Sequence, residues 1–142
     1  MLRFKQNKGE IQMTGVIKQL LQGFSPFSDK YIAQGVLPSQ TDTYSIIPDG
    51  YDSLVKKYTD GREIRRFRFK ISGLMIEGKE DSGDNYGFMQ EAADFLKSLE
   101  NPMPGIIGFE QVSAPITEKR SSSSAVYSFK ADIIYITGVN QV

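Results

Sequence analysis

Two stretches of strict alternation do most to limit what this chain can become. From Arg65 to Leu74, Phe67, Phe69 and Ile71 share one side, while Arg66, Arg68 and Lys70 share the other. From Ala125 to Ile136, Tyr127, Phe129, Ala131, Ile133 and Tyr135 alternate with Ser128, Lys130 and Asp132. A period of two places apolar and polar side chains on opposite faces of a half-buried strand. Any fold for this chain must therefore hold two such strands against one core.

The remaining segments fit around them. Val16, Ile17, Leu20 and Leu21 recur at the helical period, so a short helix is expected over 14–21, with Thr14 as N-cap and Gly23 as its stop. Tyr31 to Val36 reads as a weak strand and Thr43 to Ile47 as a stronger one, ended by Pro48 and Asp49-Gly50. Thr59-Asp60-Gly61 separates two strand-like runs and predicts a hairpin. Residues 77–85 read as a polar loop. A second helix is expected from about Tyr86 to Leu99, capped by Asp84 or Asn85 and stopped by Pro102 and Pro104. In the last third, Ile106 to Ile116 and Ala125 to Ile136 read as two arms of a strand pair, with residues 118–124 as a mobile tip. The expected fold class is α+β, a mainly antiparallel sheet with two main helices on one face. Residues 1–13 read as a flexible arm and 14–142 as one domain, which 142 residues can fill with a sizeable core. Met13 is a candidate alternative start.

Composition narrows the chemistry. The chain has no histidine and no cysteine. Histidine-based triads, imidazole or thiolate metal sites and disulfides have no residues to build them. Catalysis would have to run on carboxylates, Lys, Tyr or Ser, and no carboxylate pair has a recognisable catalytic spacing. No apolar run approaches a membrane span, and the basic start lacks the apolar region of a secretory signal. Gly73 to Lys79 spells GxxxxGK, yet Glu80 stands where a phosphate loop needs Ser or Thr. The expectation there is a strand end running into a solvated loop. The acids Glu77, Glu80, Asp81 and Asp84 suggest a divalent cation only weakly, because their order is not that of a calcium loop. No metal and no cofactor is expected.

Charge is balanced in total, 17 basic against 17 acidic residues, but not along the chain. Residues 56–70 hold Lys56, Lys57, Arg62, Arg65, Arg66, Arg68 and Lys70 against Asp60 and Glu63. Residues 77–100 hold Glu77, Glu80, Asp81, Asp84, Glu91, Asp94 and Glu100 against Lys79 and Lys97. The basic stripe suits phosphates or a protein contact. The two patches suit pairing within the fold or head-to-tail pairing between copies.

Four strings taken together resemble the tail-terminator proteins, also called tail completion or minor capsid proteins, of long-tailed bacteriophages and prophages. They are YSIIP at Tyr44–Pro48, VKKYTDG with REIRRFRFKI at Val55–Ile71, NYGFMQEAADFL at Asn85–Leu96 and AVYSFKADIIYI at Ala125–Ile136. The resemblance spans roughly residues 14–136. It implies a structural protein rather than an enzyme. It implies a homo-oligomeric ring, six-fold in expectation, that caps the tail tube, stops tail polymerisation and offers a surface to the head-completion or neck protein. Its partners would be itself, the tail tube protein and the neck protein, with no membrane and no specific nucleic acid. Its place would be the tail–neck junction of the virion, after assembly in the host cytoplasm. Another neck or tail tube component, or less readily a small nucleic-acid-binding module, is the alternative. The candidate lateral interface is Arg62, Arg65, Arg66, Arg68 and Lys70 against Glu77, Glu80, Asp81 and Asp84.

Overall fold

The computed structural model describes residues 13–50, 52–77 and 82–138. In chain order the elements are α1 (13–21), a 3-10 turn (Ser25–Phe27), β1 (Tyr31–Gln34), β2 (Thr43–Pro48), β3 (Ser53–Lys57), β4 (Glu63–Ile76), α2 (Ser82–Ser98), β5 (Glu100–Met103), β6 (Ile106–Glu110), β7 (Ile116–Arg120) and β8 (Ser124–Thr137). This is the α+β architecture that the alternations imply.

The two alternating runs are β4 and β8, and they pair antiparallel along their whole length, from Glu63↔Thr137 to Ile76↔Ser124. At about 3.3 Å per residue the ribbon is roughly 45 Å long. β2 and then β3 line the free edge of β4, opposite residues 69–74 and 63–66. β6 and then β7 line the free edge of β8, opposite 132–135 and 125–128. The sheet is therefore two long hairpins joined side by side, 43–76 and 106–137, with their tips at opposite ends of the ribbon. β1 adds in parallel to β2, and β5 adds to β6.

Residues paired across strands point to the same face. On one face Phe67, Phe69, Ile71 and Met75 meet Ala125, Tyr127, Phe129, Ala131 and Ile133, all buried. Onto this face α1 lays Ile17 and Leu21, and α2 lays Met89, Ala92, Ala93 and Leu96. An aromatic cluster ties the helices to the sheet. Phe27 packs edge-on to Tyr44 at 4.8 Å and against Phe88 at 4.9 Å, and Phe24 meets Phe95 at 5.2 Å. Such pairs contribute about 0.5–1.5 kcal/mol each beyond their buried area.

Several expectations change in detail. Thr14 lies within α1 rather than capping it, and its hydroxyl donates to Gln34 Oε1 at 2.7 Å. The second helix starts at Ser82, not near Tyr86, so Asp84 and Asn85 sit in its first turn. That turn has no apolar residue to reveal its period. It is fixed by the Asn85 side chain donating to the Ile76 carbonyl at 2.8 Å, while Asp84 suits the positive end of the helix dipole. The arm expected over 106–116 is split by 111–115, where Gln111 has a φ of 53°. Ser113 carries the pairing across the gap through two bonds to the Lys130 backbone. Residues 116–120, expected partly as a mobile tip, are strand β7, so the tip is only 121–123. All five residues of β7 are exposed, which leaves no alternation to read. The expected arm over 1–13 lies outside the described residues except for Met13, which is helical and buried.

Gly73 sits in β4 directly opposite Tyr44, with the tyrosine ring laid over it. A Cβ there would stand 2.6 Å from two carbons of that buried ring. Gly73→Ala is expected to destabilise the fold by about 1–3 kcal/mol through overpacking. Urea titration would show a lower midpoint at an unchanged slope, and an unchanged midpoint would show that the ring gives way.

Candidate assembly interface

The face of the ribbon away from the helices carries Arg66, Arg68 and Lys70 on β4, beside Asp132 and Lys130 on β8. Asp132 is 1% exposed at the centre of this face. Arg68 Nε donates to its Oδ1 at 2.8 Å, and Arg66 Nε lies 3.3 Å from its Oδ2, at an angle too bent for a hydrogen bond. Arg66 Nη2 also reaches Glu110 on β6 at 3.3 Å. Lys70 Nζ donates to Glu118 on β7 at 3.2 Å, and Lys130 Nζ lies 3.3 Å from Asp49. Four cations thus face four carboxylates. Both arginines are more than a third exposed, so each pair contributes only about 0.2–1 kcal/mol. The chief effect is neutralisation. A hydrogen bond from the Ser128 hydroxyl, helped by Lys70, holds the Glu118 carboxyl below the usual carboxylate range. The bond to Asp132 pushes the Arg68 guanidinium up. A phosphate backbone approaching this stripe would have to displace carboxylates already in place.

The other candidate residues are dispersed. Arg65 lies on the opposite face of β4, where it donates to Asp52 at 2.9 Å and to Glu63 at 2.8 Å. The Tyr135 hydroxyl donates to the same Asp52. Arg62 closes the first hairpin tip, donating from its backbone and its Nε to Asp60 at 3.1 and 2.8 Å. Its guanidinium lies 4.9 Å from the Tyr58 ring centre, and Lys56 Nζ approaches the same ring at 4.9 Å. Gly61 takes a φ of 94° here, which explains the Asp-Gly of the turn. Glu77 is buried at the far end of the ribbon and accepts from Arg120 and from the Tyr127 hydroxyl. It is a clamp between the end of β4 and the second hairpin. Glu80 and Asp81 lie outside the described residues, as do Gly78 and Lys79 of the GxxxxGK string. Asp84 is exposed. Among the described residues no three acids gather as a metal site would require, and no helix is long and apolar enough to cross a membrane.

Among the described residues, the basic and acidic segments thus do not pair with each other. The arginines of 56–70 take Asp132, Glu110, Asp52, Glu63 and Asp60, all of them acids outside 77–100. Only the register of β4 against β8 reveals that Arg68 faces Asp132. A second feature is set by the tertiary structure. All five residues of β3 are exposed, with Leu54 at 50% and Val55 at 48%, and β7 repeats the pattern with Ile116 at 57%. The outer strand of each hairpin carries apolar side chains that its own fold does not cover. The signal was present in the apolar pair Leu54-Val55, but nothing local marks an apolar pair as exposed. No protein-family model matches this chain, and no curated protein matches it.

Asp132→Ala is expected to cost about 1–3 kcal/mol, because a buried carboxylate that accepts from Arg68 and pairs with the charge of Arg66 is lost. Glu110→Ala, at the exposed rim, should change stability by less than about 0.5 kcal/mol. Equal midpoints for the two variants in urea would show that Asp132 is no hub. Burial, and then the bond to Asp52, pushes the Tyr135 hydroxyl well above its ordinary value near 10. The unfolded chain then loses this proton before the folded one, so stability should fall as pH rises above about 10. Tyr135→Phe should flatten that decline in denaturation curves taken between pH 9 and 11, and an unchanged slope would remove Tyr135 as its source.

Proposed function

We propose that this chain is a structural assembly protein of long-tailed bacteriophages or prophages. It acts as a tail terminator, a homo-oligomeric ring that caps the tail tube, ends its polymerisation and offers the joining surface for the neck. The observation that carries this reading is the pair of hairpin strands, β3 and β7, exposed on both faces with half-exposed Leu54, Val55 and Ile116. Apolar side chains held on ordered, uncovered strands suit contact with other proteins. The four strings that carry the resemblance fall on β2, on the first hairpin, on α2 and on β8, the framework that displays those strands. The neutralised basic face weighs against the nucleic-acid reading.

Such a cap needs no bond chemistry. It needs a lateral contact that closes on itself and two unlike faces, one for the tube and one for the neck. A tube subunit differs in one respect: its axial contact repeats without end.

The deciding measurement is light scattering across concentration and salt, with negative-stain images of the same samples and of mixtures with tail tube protein. Discrete rings, and shorter capped tubes in the mixture, are the expected result. Open-ended tubes formed by this chain alone would make it a tube subunit. A monomer in every condition, with no effect on tube length, would overturn the reading. Salt-sensitive binding to duplex DNA would put the nucleic-acid module in its place.

A further inference from the structure

We propose that the outer strand of the first hairpin docks on the outward face of α2 in a neighbouring copy. This contact rests on the ring reading and names the surfaces that would close the ring.

Once the ion pairs among the described residues are removed, part of the charge that remains gathers on two surfaces, although unpaired Lys97 also stands in the last turn of α2. Among the described residues Lys56 and Lys57 have no carboxylate partner, while Arg62 is already held by Asp60. They stand beside half-exposed Leu54 and Val55 on a strand with no cover on either face. On α2, Asp84, Glu91 and Asp94 point outward and meet no cation among the described residues. Asp94 accepts from Gln90 at 3.0 Å. Their spacing, with Gly87 between, runs 84, 87, 91, 94, which is one stripe of a helix.

Gly87 breaks this stripe with a notch. A Cβ built on this half-buried glycine meets nothing within 4 Å, and exposed Tyr86 stands next to it. The notch offers an apolar side chain of the hairpin a seat between Asp84 and Glu91, with Lys56 and Lys57 brought onto the acids. The two surfaces are different ones on the same chain. β3 lies on the outer edge of β4, whereas α2 packs against β8 and β6 and, through Phe88, on Tyr44 of β2. Contact between unlike surfaces is head-to-tail, which closes into a ring when the rotation allows. The charge complementarity makes it specific and sensitive to salt.

The test compares the full chain with Lys56→Glu/Lys57→Glu and with Glu91→Lys/Asp94→Lys by light scattering at low salt. All four positions changed are exposed in the folded chain, and circular dichroism checks that each variant is folded. Each double variant alone should need at least about tenfold more protein to reach half-assembly. Mixed in equal amounts they should assemble again, because the acidic hairpin of one meets the basic helix of the other. Gly87→Leu should block assembly while raising the melting temperature, since leucine favours helix over glycine. That combination separates a filled notch from a damaged fold. If the unaltered chain assembles and the charge reversals and Gly87→Leu leave it unchanged, this contact is wrong while the ring reading stands. If the unaltered chain never assembles, with or without tail tube protein, both fall.

Discussion

The full-length pairing of β4 with β8 is the constraint on which everything else here depends. Two fourteen-residue strands in continuous register fix which side chains share a face along the whole ribbon. A slip of one residue would turn Phe67, Phe69 and Ile71 outward and bring Arg66, Arg68 and Lys70 under the helices. The cost of burying three cations without partners makes such a slip prohibitive. The same register sets Arg68 opposite Asp132, and Gly73 opposite both Tyr44 and Tyr127. Core, polar face and aromatic contact are consequences of one alignment.

The ribbon also explains why the chain is exposed where it is. Each central strand has one free edge, and each edge is shared by two shorter strands. The helices cover one face only, so the outer strands β3 and β7 at the hairpin ends receive no cover. What they present differs from what the open face presents. The open face is a closed electrostatic account, with cations and carboxylates matched across β4, β8, β6 and β7. Among the described residues, the hairpin edge has apolar side chains and unmatched lysines, and α2 has unmatched acids. A surface already neutralised offers little to a charged partner, whereas an apolar edge with leftover charge gains from one. This contrast favours protein contact over nucleic-acid contact as the use of the surface.

The extent to which sequence alone sufficed can be traced residue by residue. The alternation in 65–74 and 125–136 marked both central strands and their buried faces, and Thr59-Asp60-Gly61 marked the first hairpin turn. The 3.6-residue period marked most of α2 but not its first turn, where Ser82 to Asn85 hold no apolar residue and tertiary bonds fix the start. β7 escaped notice because none of its residues is buried. It exists as a strand only through its ladder to β8 and through the Arg120–Glu77 and Lys70–Glu118 pairs. The candidate interface residues were visible as charge and invisible as geometry. Arg65 and Arg66 are neighbours in sequence yet lie on opposite faces, and Glu77, grouped with exposed Asp84, is buried beneath Arg120.

By itself, the sequence determined the fold class, the two faces of the central strands, the two helices and the exclusion of histidine and cysteine chemistry. These follow from periodicity and composition, which act within one segment at a time. The tertiary structure alone decided which charges meet, which apolar residues stay uncovered and where each acid points. Those depend on register and on what packs above each strand, and both are set by contacts between residues far apart in the chain.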